Sequence, residues 1–129
     1  MAPTSTLPDW LADALAALSA GDVDGWLEMF ADDGVHEFPW AAEDRVRRLV
    51  GREAMAQYMG QIEGRIVFGP LDDVRVHEVD DTTIVQATGR HKRPDGTPRD
   101  LDYIWFITRH EGKVTLLQDH MNPSQTSAR

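Results

Sequence analysis

The chain's last apolar strand, VTLLQDHMNP from Val114 to Pro123, carries an acid and an imidazole side by side. A strand sends successive side chains to opposite faces, so Thr115, Leu117, Asp119 and Met121 share one face while Leu116, Gln118 and His120 share the other. Asp119 therefore stands in an apolar row. Such a carboxyl is either exposed at a sheet end, paired with an arginine such as Arg90, or set in a cavity wall. In a cavity wall, desolvation holds a carboxyl nearer neutrality and fits it for proton transfer. His36 and Tyr103 are the other catalytic candidates. An imidazole titrates near physiological pH and can shuttle a proton or orient a substrate oxygen, and a phenol can donate to a carbonyl or a developing enolate. Phe38, Trp40, Tyr58, Met59, Trp105, Leu117 and Met121 complete an aromatic and methionine-rich set suited to binding a flat apolar substrate. Taken singly, each of these is also an ordinary core residue. Arg90 turned inward would bind a carboxylate or bridge to Asp119, and parity leaves the facing of Arg90 and His77 open.

These residues need elements to hold them. Apolar residues recur at helical spacing from Leu7 through Leu18, with Pro8 and Asp9 suited to a first turn and Gly21 to a stop. Asp22 suits the cap of a second short helix through Trp26, Leu27 and Phe30, closed by Asp33-Gly34. VHEFPW follows as an extended segment, since Pro39 keeps Phe38 out of the α region. His36, Phe38 and Trp40 share its parity, and Glu37 faces the other way. Gly51 introduces a third helix ending at Gly64, with Ala54, Met55, Tyr58, Met59 and Ile62 on one side. The remainder reads as strands, IVFG, DDVRVHEV, TTIVQATGRHK, RDLDYIWFITR and KVTLLQDHM, separated by the turn sequences GPLD, VDDT, PDGT and HEGK.

Helices first and a meander last predict an α+β fold, with three helices laid on one face of a curved antiparallel sheet. Residues 7–123 form the predicted single domain, between a disordered N-terminus, 1–6, and a flexible tail, 124–129, both small and polar. In LDYIWFIT both parities are apolar, Tyr103, Trp105 and Ile107 against Ile104 and Phe106. A strand without a wet face predicts a homodimer through the sheet, with His120 facing the partner.

The totals set the class. With 129 residues, 41% hydrophobic and 27% charged, the chain fits one soluble globular domain. No apolar run reaches a membrane span and the N-terminus lacks a signal-peptide pattern, so a cytoplasmic protein is expected. The absence of cysteine excludes disulfides, thiolate catalysis and Cys-ligated zinc. A formal charge of −9 opposes nucleic acid, although Arg45, Arg47, Arg48 and Arg52 form a local basic run, read as a hairpin rim facing water. The five histidines, His36, His77, His91, His110 and His120, show no metal-binding spacing. Neither a phosphate loop nor a nucleotide fingerprint appears, so no cofactor is expected.

The opening LSAGDVDGWLEMFADDGVHEFP, the GREAM helix and the EGKV hairpin resemble the nuclear-transport-factor-2-like superfamily over nearly the whole chain. That superfamily includes ketosteroid isomerases, SnoaL-like polyketide cyclases, limonene-type epoxide hydrolases and phenazine-biosynthesis A/B proteins. The resemblance implies a cone in which three helices and a strongly curved sheet enclose an apolar pocket, with the parity of His36 facing in. The catalytic aspartate of ketosteroid isomerases falls at Phe38 and their first-helix tyrosine near Ala14. The segment VQATGRHK through GKVTLLQDHMNP is similar to the phenazine A/B proteins, whose acidic residue two places before the methionine matches Asp119. The histidine those proteins use before the third helix falls near Val46.

The resulting expectation is a small cofactor-independent acid/base enzyme of specialised metabolism, a SnoaL-like cyclase, isomerase or lyase. It would act on a compact hydrophobic intermediate such as a polyketide-like compound, through proton transfer by Asp119 with His36 or Tyr103. The alternatives are a non-catalytic small-molecule-binding module on the same fold, or an epoxide-opening hydrolase using RDLD, with Arg99, Asp100 and Asp102.

Overall fold

The computed structural model describes residues 4–62 and 64–126. Its elements follow the chain as Asp9–Ser19 (α1), Val23–Leu27 (α2), Phe30–Glu37 (β1), Arg48–Val50 (β2), Arg52–Ile62 (α3), Leu71–Val79 (β3), Thr82–Lys92 (β4), Pro98–His110 (β5), Lys113–Met121 (β6) and Pro123–Thr126 (α4). The α+β architecture is as the sequence predicts, with a six-stranded sheet of order β2-β1-β6-β5-β4-β3, although β1 and β2 come between α2 and α3 and a short α4 follows the last strand.

The helical hairpin is built locally. Asp22 Oδ1 accepts from the Gly25 backbone N–H at 3.0 Å, which caps α2. A Cβ on Gly25 would stand 2.6 Å from the Cβ of Ala17, so glycine lets α2 close against α1. Leu11, Ala14 and Leu18 carry the buried stripe of α1, and Met55 and Met59 that of α3. Phe30, Leu11, Met55, Ile107, Leu117, Val85 and Val114 are the largest fully buried side chains. Each contributes roughly 1.5–3 kcal/mol of transfer free energy, and together they fasten the helices to one sheet face.

Among the described residues the strand pairings are antiparallel except one: β1 runs parallel to β6, pairing His36 with Leu117 and Glu37 with Gln118. The antiparallel sheet expected from the meander is thus completed by a strand arriving from the helical half, and that strand brings His36 alongside Asp119. Register shifts fall between Phe30 and Val35, between Asp72 and Arg75, and between Thr108 and Arg109. Bulges of this kind bend and twist a sheet, and the sheet curves without closing.

Several boundaries move. The segment IVFG supplies only a bridge, Val67 exchanging backbone hydrogen bonds with Lys92 at 2.7 and 3.0 Å, because Gly69 and Pro70 follow at once and Pro70 brings no N–H to extend a ladder. The first strand begins at Phe30, which was expected in a helix. The short edge strand β2, not anticipated, pairs with β1 and includes Arg48. Arg45, Arg47 and Arg48 are exposed, but Arg52 turns inward, and its Nε donates to the Phe30 carbonyl at 2.9 Å. Thr4, in the expected frayed segment, exchanges two backbone hydrogen bonds with Val76, and residues 1–3 and 127–129 of the expected loose ends lie outside the described residues. No helix among the described residues is long and apolar enough to cross a membrane.

Candidate active site

Between the helices and the concave sheet face lies a cavity of about 1460 Å³. Strand parity fills its sheet wall. From β5 come Leu101, Tyr103 and Trp105, from β6 Asp119 and Met121, and from β4 His91. Tyr58 and Met59 of α3 close the helical side, and Phe38, just past β1, adjoins them. Of the three predicted catalytic residues all are present in the wall, and each is buried, with Asp119 8%, His36 5% and Tyr103 7% exposed.

Asp119 is not at a free sheet end. Its Oδ1 accepts from Trp105 Nε1–H at 2.9 Å, and its Oδ2 stands 3.2 Å from His36 Nε2. The cross-strand register makes this possible, since Trp105 lies directly opposite Asp119 and β1 sets His36 beside β6. The imidazole is held between Phe38, ring centroids 4.3 Å apart, and Phe30, 6.1 Å away and nearly parallel. Its Nδ1 has no hydrogen-bond partner among the described residues, whereas the buried side-chain polar atoms lacking any partner are Trp26 Nε1 and Arg109 Nε.

Tyr103 belongs to a second polar group. Its hydroxyl lies 2.7 Å from His91 Nε2, and His91 Nδ1 accepts the Gly69 N–H at 3.0 Å. Burial, and next the charge of Asp119, push the Tyr103 phenol well above its usual range. Burial likewise raises Tyr58, with Asp119 adding to the effect and Arg45 opposing it. Both phenols are therefore donors across the physiological range. Burial lowers the His91 pKa, against a smaller opposing influence from Asp100.

Not every predicted residue reaches the cavity. Trp40 is 52% exposed and packs edge-on against His120, centroids 4.9 Å apart. Alternation holds only while the backbone stays extended, and β1 ends at Glu37, after which Ala41 N–H donates to the Phe38 carbonyl in a turn. Arg90 faces outward, its Nε and Nη1 donating to Asp72 at 3.0 Å and Asp100 at 2.8 Å. The alternative pairing of Asp119 with Arg90 is thereby replaced by Asp119 with His36. Leu117 is 1% exposed and packs in the core beyond the cavity lining. His77, half-buried on β3, stands opposite Ile84 and also lies outside the lining. Of the RDLD residues, Arg99 lines the cavity, but Asp100 is bound to Arg90 and Asp102 to Thr88 and Gln125. No acid from that segment stands in the cavity beside it.

Sequence reasoning passed over His91. The signal was available: Thr83, Val85, Ala87, Gly89 and His91 form one parity row of β4, and all five are buried. That row, apolar and small, ends in an imidazole, much as the row of β6 carries a carboxylate just before its last residue, Met121.

The comparisons with known proteins bear on the family and the fold. The SnoaL-like domain family model matches residues 11–117. An uncharacterized PhzA/B-like protein of Pseudomonas aeruginosa is 29% identical over 118 residues, covering 88% of this chain and 82% of that one. The uncharacterized protein YesE of Bacillus subtilis is 26% identical, covering 84% and 76%. Among solved structures, a candidate isomerase from Bacillus subtilis superposes with a TM-score of 0.82 at 24% identity, covering 91% of this chain and 86% of that one. A candidate polyketide cyclase from Xanthomonas campestris gives 0.74 at 18%, covering 91% and 90%. These structures share the fold. The chain belongs to the SnoaL-like domain family, and it shares its fold with an NTF2-like protein of Burkholderia pseudomallei, TM-score 0.75 at 15% identity, covering 91% of each chain.

Proposed function

We propose that the protein is a cofactor-independent acid/base enzyme that moves a proton on a compact, hydrophobic, carbonyl-bearing intermediate, in a cyclisation, isomerisation or dehydration. The observation that carries this reading is the buried 3.2 Å contact of His36 with Asp119 in a cavity wall, where Trp105 holds the other carboxylate oxygen. A neutral His36 donating Nε2–H to Asp119 keeps Nδ1 as a lone-pair base. A C–H proton beside the substrate carbonyl passes to Nδ1, the electron pair moves onto the carbonyl oxygen, and the Asp119 charge stabilises the imidazolium. Returning the proton at another carbon isomerises the substrate, attack of the enolate on a second carbonyl closes a ring, and loss of a β-hydroxyl dehydrates it. Tyr103, held protonated nearby, is the donor for the developing oxyanion. The family, and neighbours described as cyclases and an isomerase, support the reaction class.

The test is deuterium exchange. A panel of enolisable aryl ketones is incubated with protein in D2O, and loss of the α-proton signal is followed by NMR. His36→Gln is expected to lower exchange by about 10²- to 10⁴-fold, the usual contribution of one positioned proton-transfer group, and Asp119→Asn, which removes the charge beside the imidazolium, to lower it as well, with ketone affinity little changed in both. Unchanged exchange in either variant would remove that residue from the chemistry. A second reading, a small-molecule-binding module, is favoured by one fact: both Asp119 oxygens are already bonded within the protein. On that reading ketones bind and no exchange occurs.

A second copy of the chain is the proposed cover for the outer sheet face. Phe106 there is 37% exposed and abuts His120, centroids 5.5 Å apart, beside the exposed Trp40. Light scattering is expected to give twice the 14.5 kDa chain mass, and Phe106→Asp to give the monomer. A wild-type monomer would overturn the assignment.

A further inference from the structure

We infer that Gly69, His91 and Tyr103 form a built oxygen-binding site in the cavity wall, in which His91 is a positioning residue that forces the Tyr103 hydroxyl proton toward a ligand's acceptor oxygen. The inference rests on the reading of the cavity as a ligand site, and not on catalysis.

The polarity follows from one hydrogen bond. A backbone N–H can only donate, and the Gly69 N–H meets His91 Nδ1 at 3.0 Å. Nδ1 therefore carries no proton. In the neutral ring the proton must be on Nε2, and Nε2 lies 2.7 Å from the Tyr103 hydroxyl. The tyrosine oxygen consequently accepts from His91, and its own proton has to go elsewhere. No other protein acceptor for that hydroxyl is found among the described residues, and Tyr103 lines the cavity. The proton is thus presented to whatever occupies the cavity.

The surroundings keep this arrangement from reversing. Protonating Nδ1 would set two donors against each other across 3.0 Å, and burial already lowers the His91 pKa. Two glycines frame the ring. A Cβ on Gly69 would stand 2.0 Å from the Arg90 carbonyl oxygen, and one on Gly89 would stand 2.3 Å from His91 Nε2 and 2.8 Å from the Tyr103 ring. Phe68 meets the imidazole edge-on at 5.3 Å between centroids. A phenol fixed as donor selects a chemical class: a ketone, ester or enolate oxygen is bound, and a group that can only donate, such as an ammonium, is rejected.

The experiment uses the full chain with 2-acetylnaphthalene, an acceptor-only ketone, and 2-isopropylnaphthalene, its hydrocarbon counterpart. On the free protein, nitrogen-15 NMR of the imidazoles is expected to find His91 neutral, with the proton on Nε2. On binding, the ketone's carbonyl stretch is expected to shift to lower frequency, and the ketone to bind about 3- to 10-fold tighter than the hydrocarbon, the range of one neutral hydrogen bond. His91→Phe and Tyr103→Phe should abolish both the shift and the preference for the ketone over the hydrocarbon. His91→Gln, whose amide offers an acceptor and a donor, should restore most of each. A proton on Nδ1, or an unaltered carbonyl shift in His91→Phe, would overturn the proposal whatever the variants' stability. Equal binding of the two probes would overturn the oxygen site alone. Failure of both to bind would overturn the cavity reading beneath it, and loss of α-proton exchange in Asp119→Asn bears on neither.

Discussion

Two histidines line the same cavity in opposite circumstances. His36 faces a carboxylate, Asp119, which can accept from its ring N–H. His91 faces a backbone N–H and a phenol, and a gained proton there would have no acceptor. Both rings are nearly inaccessible and both are wedged among aromatic neighbours. The partner, more than the burial, decides the role: an imidazole beside an anion is equipped to transfer protons, and one beside a fixed donor is equipped to direct a hydrogen bond.

The largest expected effect strikes only the second of these regions. Gly69→Ala sets a methyl 2.0 Å from the Arg90 carbonyl oxygen, and backbone, unlike a flexible side-chain end, has little room to move. The variant is expected to lose about 3 kcal/mol or more in chemical denaturation. Its folded fraction should also lose the neutral Nε2–H signature of His91, because the segment bearing the Gly69 N–H is displaced. The contact of His36 with Asp119 should survive, since it depends on β1, β5 and β6 and not on the segment before β3. Equal damage to both histidine environments would show that the two regions are one cooperative unit.

The sequence made one region much more legible than the other. Asp119, Tyr103 and Trp105 were readable because β5 and β6 are long, regular and apolar on one parity, so alternation places each side chain. The same rule carried to Trp40 failed, because Pro39 ended the extended backbone and the side chain turned to the outer face. Arg90 was ambiguous for a related reason: its row on β4 mixes Ile84 with Gln86 and Thr88, and only the neighbouring Asp72 and Asp100 decide that it faces water. His91 was readable in principle from its parity row. Its role was not, since Gly69 lies 22 residues away and no local pattern announces that a loop N–H will meet a ring nitrogen. The parallel pairing of β1 with β6, which joins His36 to Asp119, is likewise a long-range fact. The fold needed only local periodicity and turn chemistry, whereas the site needed contacts between distant segments.

The smallest expected effect is also the cleanest separation of the two regions, because it uses protons as the probe. A histidine whose folded pKa lies below the unfolded value near 6.5 binds its proton more readily in the unfolded chain. Stability from His91 is then fully present above about pH 6.5 and is lost as pH falls from that value through the lower folded pKa. Urea denaturation between pH 7.5 and 5 is expected to show this loss, with a slope of at most about 1.4 kcal/mol per pH unit for one proton. His91→Gln, which has no titrating group, should flatten that component while keeping the Tyr103 contact, so the two pH profiles diverge only on the acid side. Superimposable profiles would mean that His91 takes a proton in the folded state as easily as in the unfolded one. The Gly69 N–H could then not be the partner that fixes its tautomer, and the contrast between the two histidines would be lost.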